Sequence, residues 1–282
     1  MRETINDMPT IMVTNDDGVF APGIRTLIKV MRKLGRVVVV APDRARSAQG
    51  HAITVSSPLR VKKLKEEEFY REYGCNGTPV DCVKMGRQIV LRRDPDLLVS
   101  GINHGSNASI NVIYSGTMAA VFEAAIDKIP AIGFSLNDFS HAADLSHTEK
   151  YIESIARNVL EKGLPKGVCL NVNIPANSDK AIKGVKVCRQ SMGSWVEEFD
   201  ERVDPRGRNY YWITGVFSNP DNVAGTDTMA MEENYVSVVP MKFDFTDYDA
   251  MKAIEGFDFT TTPVSKKPNK RNSTSITTNI IK

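Results

Sequence analysis

Ile11-Met12-Val13-Thr14-Asn15-Asp16-Asp17-Gly18 is a short apolar run closed by a polar turn. It reads as a buried strand that ends in turn chemistry. Pro22 then opens a helix, a position where its missing N–H costs nothing. Ile24, Leu27, Ile28, Met31 and Leu34 recur at helical spacing, and Gly35 stops the pattern. Val37 to Val40 is a second β-branched run, ended by Ala41-Pro42. Strand, helix, strand within 42 residues makes one βαβ unit with a buried parallel pair.

The same alternation continues. Asp96 to Gly101 predicts a strand entering a Gly/Asn-rich loop, Thr117 to Ile126 an Ala-rich helix, and Ala131 to Phe134 the next strand. Ser146-His147-Thr148-Glu149 has the pattern of a capping box, with a helix behind it to about Glu161. Val168 to Ile174 is another strand. Strands alternating with helices predict an α/β fold with a mostly parallel sheet. After about residue 184 the texture changes. Val185 to Val187, Tyr210 to Ile213 and Tyr235 to Val239 read as strands, Asp200 to Asn209 as a polar arm or turn, and Phe243 to Phe257 as room for a last helix. This half reads as a β-rich extension of the first.

The 282 residues are 41% hydrophobic and 25% charged, which excludes wholesale disorder and fibrous repeats. No apolar run has the length of a membrane span, and the first ten residues have no secretory h-region. The expectation is a cytoplasmic protein with no membrane and no nucleic-acid partner. Cys75, Cys82, Cys169 and Cys188 fit neither a zinc site nor a disulfide framework, so reduced thiols are expected. Five of the 36 basic residues and none of the 34 acidic ones lie in 263–282. The formal charge of +2 therefore belongs to a basic Ser/Thr/Asn-rich tail, expected to be solvated.

In open α/β sheets ligands sit beyond the carboxyl ends of the strands. After the first strand come Asn15, Asp16 and Asp17, and after the second come Asp43, Arg44, Arg46 and Ser47. After Leu97-Leu98-Val99 come Ser100, Asn103, His104 and Asn107. Adjacent strand carboxylates converge only if the chain turns, and Gly18 permits that turn. Two close carboxylates repel unless a proton or cation neutralises them, and oxygen donors suit Mg²⁺ or Mn²⁺ better than zinc. A solvated turn is the plain alternative. Ser115-Gly116-Thr117 before an Ala-rich helix fits an anion site at a helix N-terminus, or simply a cap. A P-loop, a G-x-G-x-x-G fingerprint and a G-x-S-x-G elbow are all missing.

Taken in order, these motifs resemble the survival protein SurE family. The resemblance is carried by Val13 to Gly18, Ala21-Pro22-Gly23-Ile24, and Ala41 to Arg44 with Ser47. It continues through Gly77-Thr78-Pro79 with Asp81, Ser100 to Asn103 with Gly105 and Asn107, and Tyr114 to Thr117. Asp204 to Gly207 and Gly225-Thr226-Asp227 extend it to about residue 250. It implies a Rossmann-like doubly wound sheet with a C-terminal extension exchanged between subunits. One phosphatase domain would span 11–262, with a core to about 184, a ten-residue lead before it and the tail 263–282 after it. The implied activity is metal-dependent hydrolysis of nucleoside 5′- and 3′-monophosphates, with some exopolyphosphatase activity. The resemblance places one Mg²⁺ or Mn²⁺ per subunit on Asp16, Asp17, Ser47 and Asn103. It assigns catalysis to Asp16, Asp17 and Asn107, phosphate binding to Asn107, Ser115, Gly116 and Thr117, and assembly to a dimer or tetramer. His104 receives no catalytic role.

Two rivals remain. A sugar-nucleotide transferase would use Asp94-Pro95-Asp96, which stands before a strand and so at the wrong end of the sheet. A non-catalytic nucleotide-binding module would not need the paired carboxylates.

Overall fold

A computed structural model describes residues 8–140, 142–177 and 180–259. The basic tail lies outside them. In chain order the elements are β1 (Thr10–Thr14), α1 (Pro22–Met31), β2 (Arg36–Pro42), β3 (Val61–Glu67), β4 (Tyr70–Cys75), α2 (Pro79–Met85), β5 (Leu97–His104), α3 (Asn111–Tyr114) and α4 (Gly116–Ile126). Then follow β6 (Ala131–Asn137), α5 (Glu149–Lys162), β7 (Val168–Pro175), β8 (Val185–Val187), β9 (Ser194–Val203), β10 (Asn209–Ser218), α6 (Asp227–Glu232), β11 (Val236–Lys242) and α7 (Tyr248–Ile254).

Nine strands form one sheet in the order β3-β4-β2-β1-β5-β6-β7-β11-β8. The central strands β4, β2, β1, β5, β6 and β7 run parallel, while β3 and β11 pair antiparallel to their neighbours β4 and β7. The fold is α/β with a mostly parallel sheet, as the alternation predicts. Helices cover both faces, and this is why the strands read as unbroken apolar runs. Ile11 and Val13 of β1 pack with Ile24 and Leu27 of α1 on one face. Met12, between them, packs with Met118 and Val121 of α4 on the other. Val37 and Val39 against Val38 and Val40 divide in the same way.

The differences from expectation are local. β3, β4 and α2 are additions. Ser146 does not cap α5: its hydroxyl donates to Asp144 Oδ2 (2.9 Å), and Ser146 to Thr148 form a 3₁₀ turn before the helix. The capping box occurs instead at Thr78, whose Oγ1 accepts from Asp81 N (3.1 Å) while Asp81 Oδ2 accepts from Thr78 N (2.9 Å). Tyr210 to Ile213 belong to a longer hairpin of β9 and β10, and the polar stretch expected as an arm supplies the end of β9 and its turn. Residues 245–259 are the described part of a separate unit, containing α7.

Asp227 ties the C-terminal half to the sheet. Its carboxylate is fully buried and accepts from Ser109 N (2.9 Å), Ser191 N (3.0 Å) and Thr228 N (2.9 Å). One side chain thus joins the loop after β5, the segment before β9 and the start of α6. Ser109 adds to the knot, accepting from Gly193 N (2.8 Å). Asp227→Ala strands two buried donors, Ser109 N and Ser191 N, and the half-buried Thr228 N, each with its own desolvation penalty. We expect it to lose about 3 kcal/mol or more of stability in urea unfolding. Asp227→Asn, which keeps one acceptor oxygen, should lose less.

Candidate active site

The chain leaves β1 toward β2 and β4 on one side of the sheet, then returns to β5 on the other. The carboxyl ends of β1 and β5 therefore flank a topological switch point, where open α/β sheets bind ligands. A cleft of about 260 Å³ lies there, lined by Asp16, Asp17, Ser47, Asn103, Asn107 and Ser115 among others. Six of the eight residues expected from the sequence are thus brought to one cleft. A larger depression of about 800 Å³ lies at the opposite sheet edge, by Pro9, Asp96 and Pro130, and holds none of them.

The other two residues, Gly116 and Thr117, stand directly behind Asp16. Thr117 Oγ1 donates to Asp16 Oδ1 at 2.5 Å. A Cβ on Gly116 would fall 2.8 Å from Asp16 Cβ, so only glycine lets the helix start this close to the carboxylate. Ser115 caps α4, its Oγ accepting from Met118 N (3.0 Å). The Thr117 hydroxyl is therefore engaged with Asp16, a role not evident from sequence.

Asp16 is 4% exposed, and its carboxyl is pushed up to about 6. Burial is the main cause and the Asp17 charge a smaller one, while the Thr117 hydrogen bond acts the other way. A cation beside this carboxylate would offset its desolvation. The donor set suits a hard ion: two carboxylates, the Ser47 hydroxyl and the Asn103 amide all line the one cleft. Asn103 Nδ2 is committed to Gly105 O (2.7 Å), which leaves its carbonyl oxygen as the donor end. At the same turn, Asn15 Oδ1 is buried without a hydrogen-bond partner. Among the described residues no three His, Cys, Asp or Glu side chains cluster for a metal, so a site rich in nitrogen or sulfur ligands has no candidate. The residues fit Mg²⁺ or Mn²⁺.

The surroundings fix these groups. The β5–β6 pairing shifts register between Gly101 and Asn103, a bulge that re-aims the end of β5. Asn107 is held by its Nδ2 to Ser135 Oγ (2.9 Å) and its N to Asn173 Oδ1 (2.8 Å), and its O accepts from Asn171 Nδ2 (2.8 Å). The loop carrying Ser47 is tied down on three sides. Arg46 N donates to Asp16 O (2.7 Å), Thr78 Oγ1 to Ala52 O (2.7 Å), and Thr54 N to Asp81 Oδ1 (3.1 Å). Farther along, His51 Nε2 lies 3.0 Å from Glu123 Oε2 on α4, and Lys84 pairs with the other oxygen. The His51 hydrogen bond, followed by Lys84, holds the Glu123 carboxyl below its ordinary range against the opposing effect of burial. The sequence reading did not single out Glu123. Its signal is a lone acid inside the apolar run Met118 to Ile126.

His104 lines the cleft. His147 is half-buried with Nε2 3.1 Å from Pro175 O, and His141 lies outside the described residues. Asp94 and Asp96 serve structure: Asp94 pairs with Arg87, and Asp96 Oδ2 accepts from Thr10 N (2.7 Å). Neither lines the cleft.

The family model "Survival protein SurE" matches residues 11–197. The chain belongs to this family. It is 57% identical over 251 residues to 5′-nucleotidase SurE of Christiangramia forsetii, covering 88% of this chain and 96% of that protein. The protein of the same name from Flavobacterium psychrophilum is 54% identical over 251 residues, covering 89% and 98%. Among solved structures, the SurE protein from Aquifex aeolicus superposes with a TM-score of 0.75 at 40% identity, covering 88% of this chain and 98% of that one.

The buried acid generates a test. With chelator present, Asp16 holds its proton more tightly folded (about 6) than unfolded (3.8). Its ionisation therefore weakens the fold progressively as pH rises through that window. Asp16→Asn in chelator should raise Tm by several degrees at pH 7.5 and by little at pH 4. Saturating Mg²⁺ or Mn²⁺ should raise the Tm of the wild type and not that of the variant. A variant no more stable at pH 7.5 than at pH 4, relative to wild type, contradicts the assignment.

Proposed function

We propose that this SurE-family protein is a metal-dependent phosphomonoesterase that hydrolyses nucleoside 5′- and 3′-monophosphates to nucleoside and phosphate. The observation that carries the reading is the paired carboxylates, Asp16 desolvated and Asp17 beside it, in one cleft with Ser115 at the N-terminus of α4. The names of its relatives, 5′-nucleotidase SurE, support the same activity. The paired acids favour catalysis over passive phosphate binding, which a helix terminus alone could provide.

Asp16, Asp17, Ser47 and Asn103 would hold the ion, one per subunit. When bound, Mg²⁺ or Mn²⁺ supplies Lewis-acid stabilisation of phosphoryl charge and lowers the pKa of water. The chain's own groups do the rest. Thr117 orients Asp16 from behind, and its hydrogen bond favours the ionised carboxylate. Asn107, fixed through Ser135 and Asn173, and the Ser115 to Thr117 end of α4 hold equatorial phosphoryl oxygens, where charge develops during transfer. The walls of the cleft position the ester for in-line attack by water. Polyphosphate, whose terminal group presents the same oxygens, is an accessible second substrate.

We assign a homo-oligomer, dimer or tetramer, on the β9–β10 hairpin. Phe199, Tyr211, Trp212, Ile213 and Val216 are each more than half exposed there, an apolar surface suited to a second copy. A cytoplasmic location accords with four buried thiols. No helix among the described residues is long and apolar enough to cross a membrane.

Asp16→Asn and Asp17→Asn should each reduce kcat for nucleoside monophosphate hydrolysis by at least about two orders of magnitude, the scale of losing a major electrostatic element. Chelator should abolish phosphate release by the wild type, and Mg²⁺ or Mn²⁺ should restore it. Near-normal turnover by both variants defeats the proposal. Light scattering at micromolar concentration should give at least a dimer, and deletion of residues 200–209 should lower that mass.

A further inference from the structure

Residues 43–60 join β2 to β3 and carry Ser47. They contain no helix or strand, and every one of them is at least partly exposed. A structureless connection of this length is uncommon in a compact domain, where most run to about 4–6 residues and the long ones usually serve a site. With no side chain of its own buried, the loop takes its position from polar attachments. The turn that presents Ser47 is bent by Ala48 and Gly50, both left-handed (φ 58° and 54°), a conformation in which the alanine Cβ crowds its own backbone. Such a turn keeps its shape only if both of its ends are held.

One end is held at the acid, where Arg46 N donates to Asp16 O (2.7 Å). The other is gripped from Gly50 to Thr54. Gly50 N donates to Tyr114 O (3.3 Å), Ala52 O accepts from Thr78 Oγ1 (2.7 Å), and Thr54 N donates to Asp81 Oδ1 (3.1 Å). These contacts use the loop's backbone. The side chain it adds is His51, with Nε2 3.0 Å from Glu123 Oε2. Glu123 lies on the helix that ends at the cleft. It follows Gly116 by seven residues, about two turns, so the two share one face of α4. Gly116 meets Asp16 on that face and Glu123 meets His51, so the loop follows α4 from the acid to this contact. Glu123 is 5% exposed, and Lys84 of α2 holds its other oxygen. A carboxylate buried this far needs such partners.

We propose that His51 is a positioning residue for the reaction: through Glu123 it fastens the Ser47 loop along α4, so that Ser47 and the helix end at Ser115 to Thr117 keep one spacing. The proposal rests on the reading that gives Ser47 to the cation, and adds to it the group that keeps Ser47 in place. An imidazole with its proton on Nε2 and an imidazolium both donate to Glu123, so the contact holds in either charge state. Without it, the Ser47 hydroxyl has to be ordered as the cation binds. That lowers affinity and leaves the assembled site unchanged.

The His51 side chain is 38% exposed, so His51→Ala removes the contact without opening the core, and His51→Gln keeps an N–H donor at similar reach. In chelator, amides of residues 47–54 should exchange hydrogen faster in the alanine variant than in the wild type, and the glutamine variant should regain protection. In calorimetric titration Mn²⁺ should bind His51→Ala about tenfold more weakly, the scale of a lost partner behind a metal ligand. For AMP hydrolysis the Mn²⁺ concentration giving half-activation should rise by the same factor, with kcat at saturating Mn²⁺ close to wild type. Glu123→Gln and the double variant close a cycle in which the two losses should not add, because both break one contact. Where a thermal melt shows Glu123→Gln unfolded, the His51 variants decide alone. Wild-type Mn²⁺ affinity and loop exchange in His51→Ala, or independent losses in a folded cycle, overturn the proposal. If the wild type binds no Mn²⁺ and releases no phosphate while loop exchange still depends on His51, the metal reading fails and the fastening stands.

Discussion

A carboxylate stripped of water beside a second carboxylate is the constraint on which this molecule is organised. Asp16 is buried at the end of β1 with Asp17 next in sequence, an arrangement that repels itself and favours a proton or a cation. The surrounding choices follow from holding it. Gly116 has no side chain because the first turn of α4 lies against Asp16, and the Thr117 hydroxyl donates directly to its carboxylate. The Ser-Gly-Thr turn therefore has two functions. It exposes a helix terminus toward the cleft, and it lets that terminus approach the acid closely enough to orient it.

The sheet transmits this arrangement outward through polar residues on strands that are otherwise apolar. Ser135 of β6 and Asn171 and Asn173 of β7 are buried, and each would be costly alone. They are paired with the loop after β5 and with one another, Asn173 Nδ2 donating to Asn171 Oδ1 (3.1 Å). Fully satisfied, such a network costs little and specifies one geometry. It fixes Asn107 from the next strand and the one beyond it, so the position of that side chain is set by the sheet.

The central fold is legible because burial on both faces leaves its mark in composition. Ile11-Met12-Val13 and Val37 to Val40 have no polar positions to confuse the pattern. The site is legible for a related reason: Asn-Asp-Asp-Gly directly after such a strand must lie at the sheet's carboxyl edge. β3 is not legible, since Val-Lys-Lys-Leu-Lys-Glu-Glu is a charged, exposed edge strand with neither alternation nor an apolar run. Nor are the supports. Glu123, Asp81 and Asp227 act through contacts 27 to 118 residues away in sequence, and spacing says nothing about such pairs. Thr78 to Asp81 and Ser146 to Glu149 match the same capping pattern, and only the first forms it. Asp144 takes the Ser146 hydroxyl instead.

The C-terminal half is registered to the same loop. Asp227 accepts from backbone donors of the β5 loop, the segment before β9, and α6, so one buried carboxylate ties those segments to the loop that carries Asn107. The α/β core supplies the carboxylates and the helix end, and charge stabilisation depends on groups being in place before reaction. An error of about 1 Å in such placement is enough to cost a rate about a hundredfold, so an anchor away from the acids still bears on them.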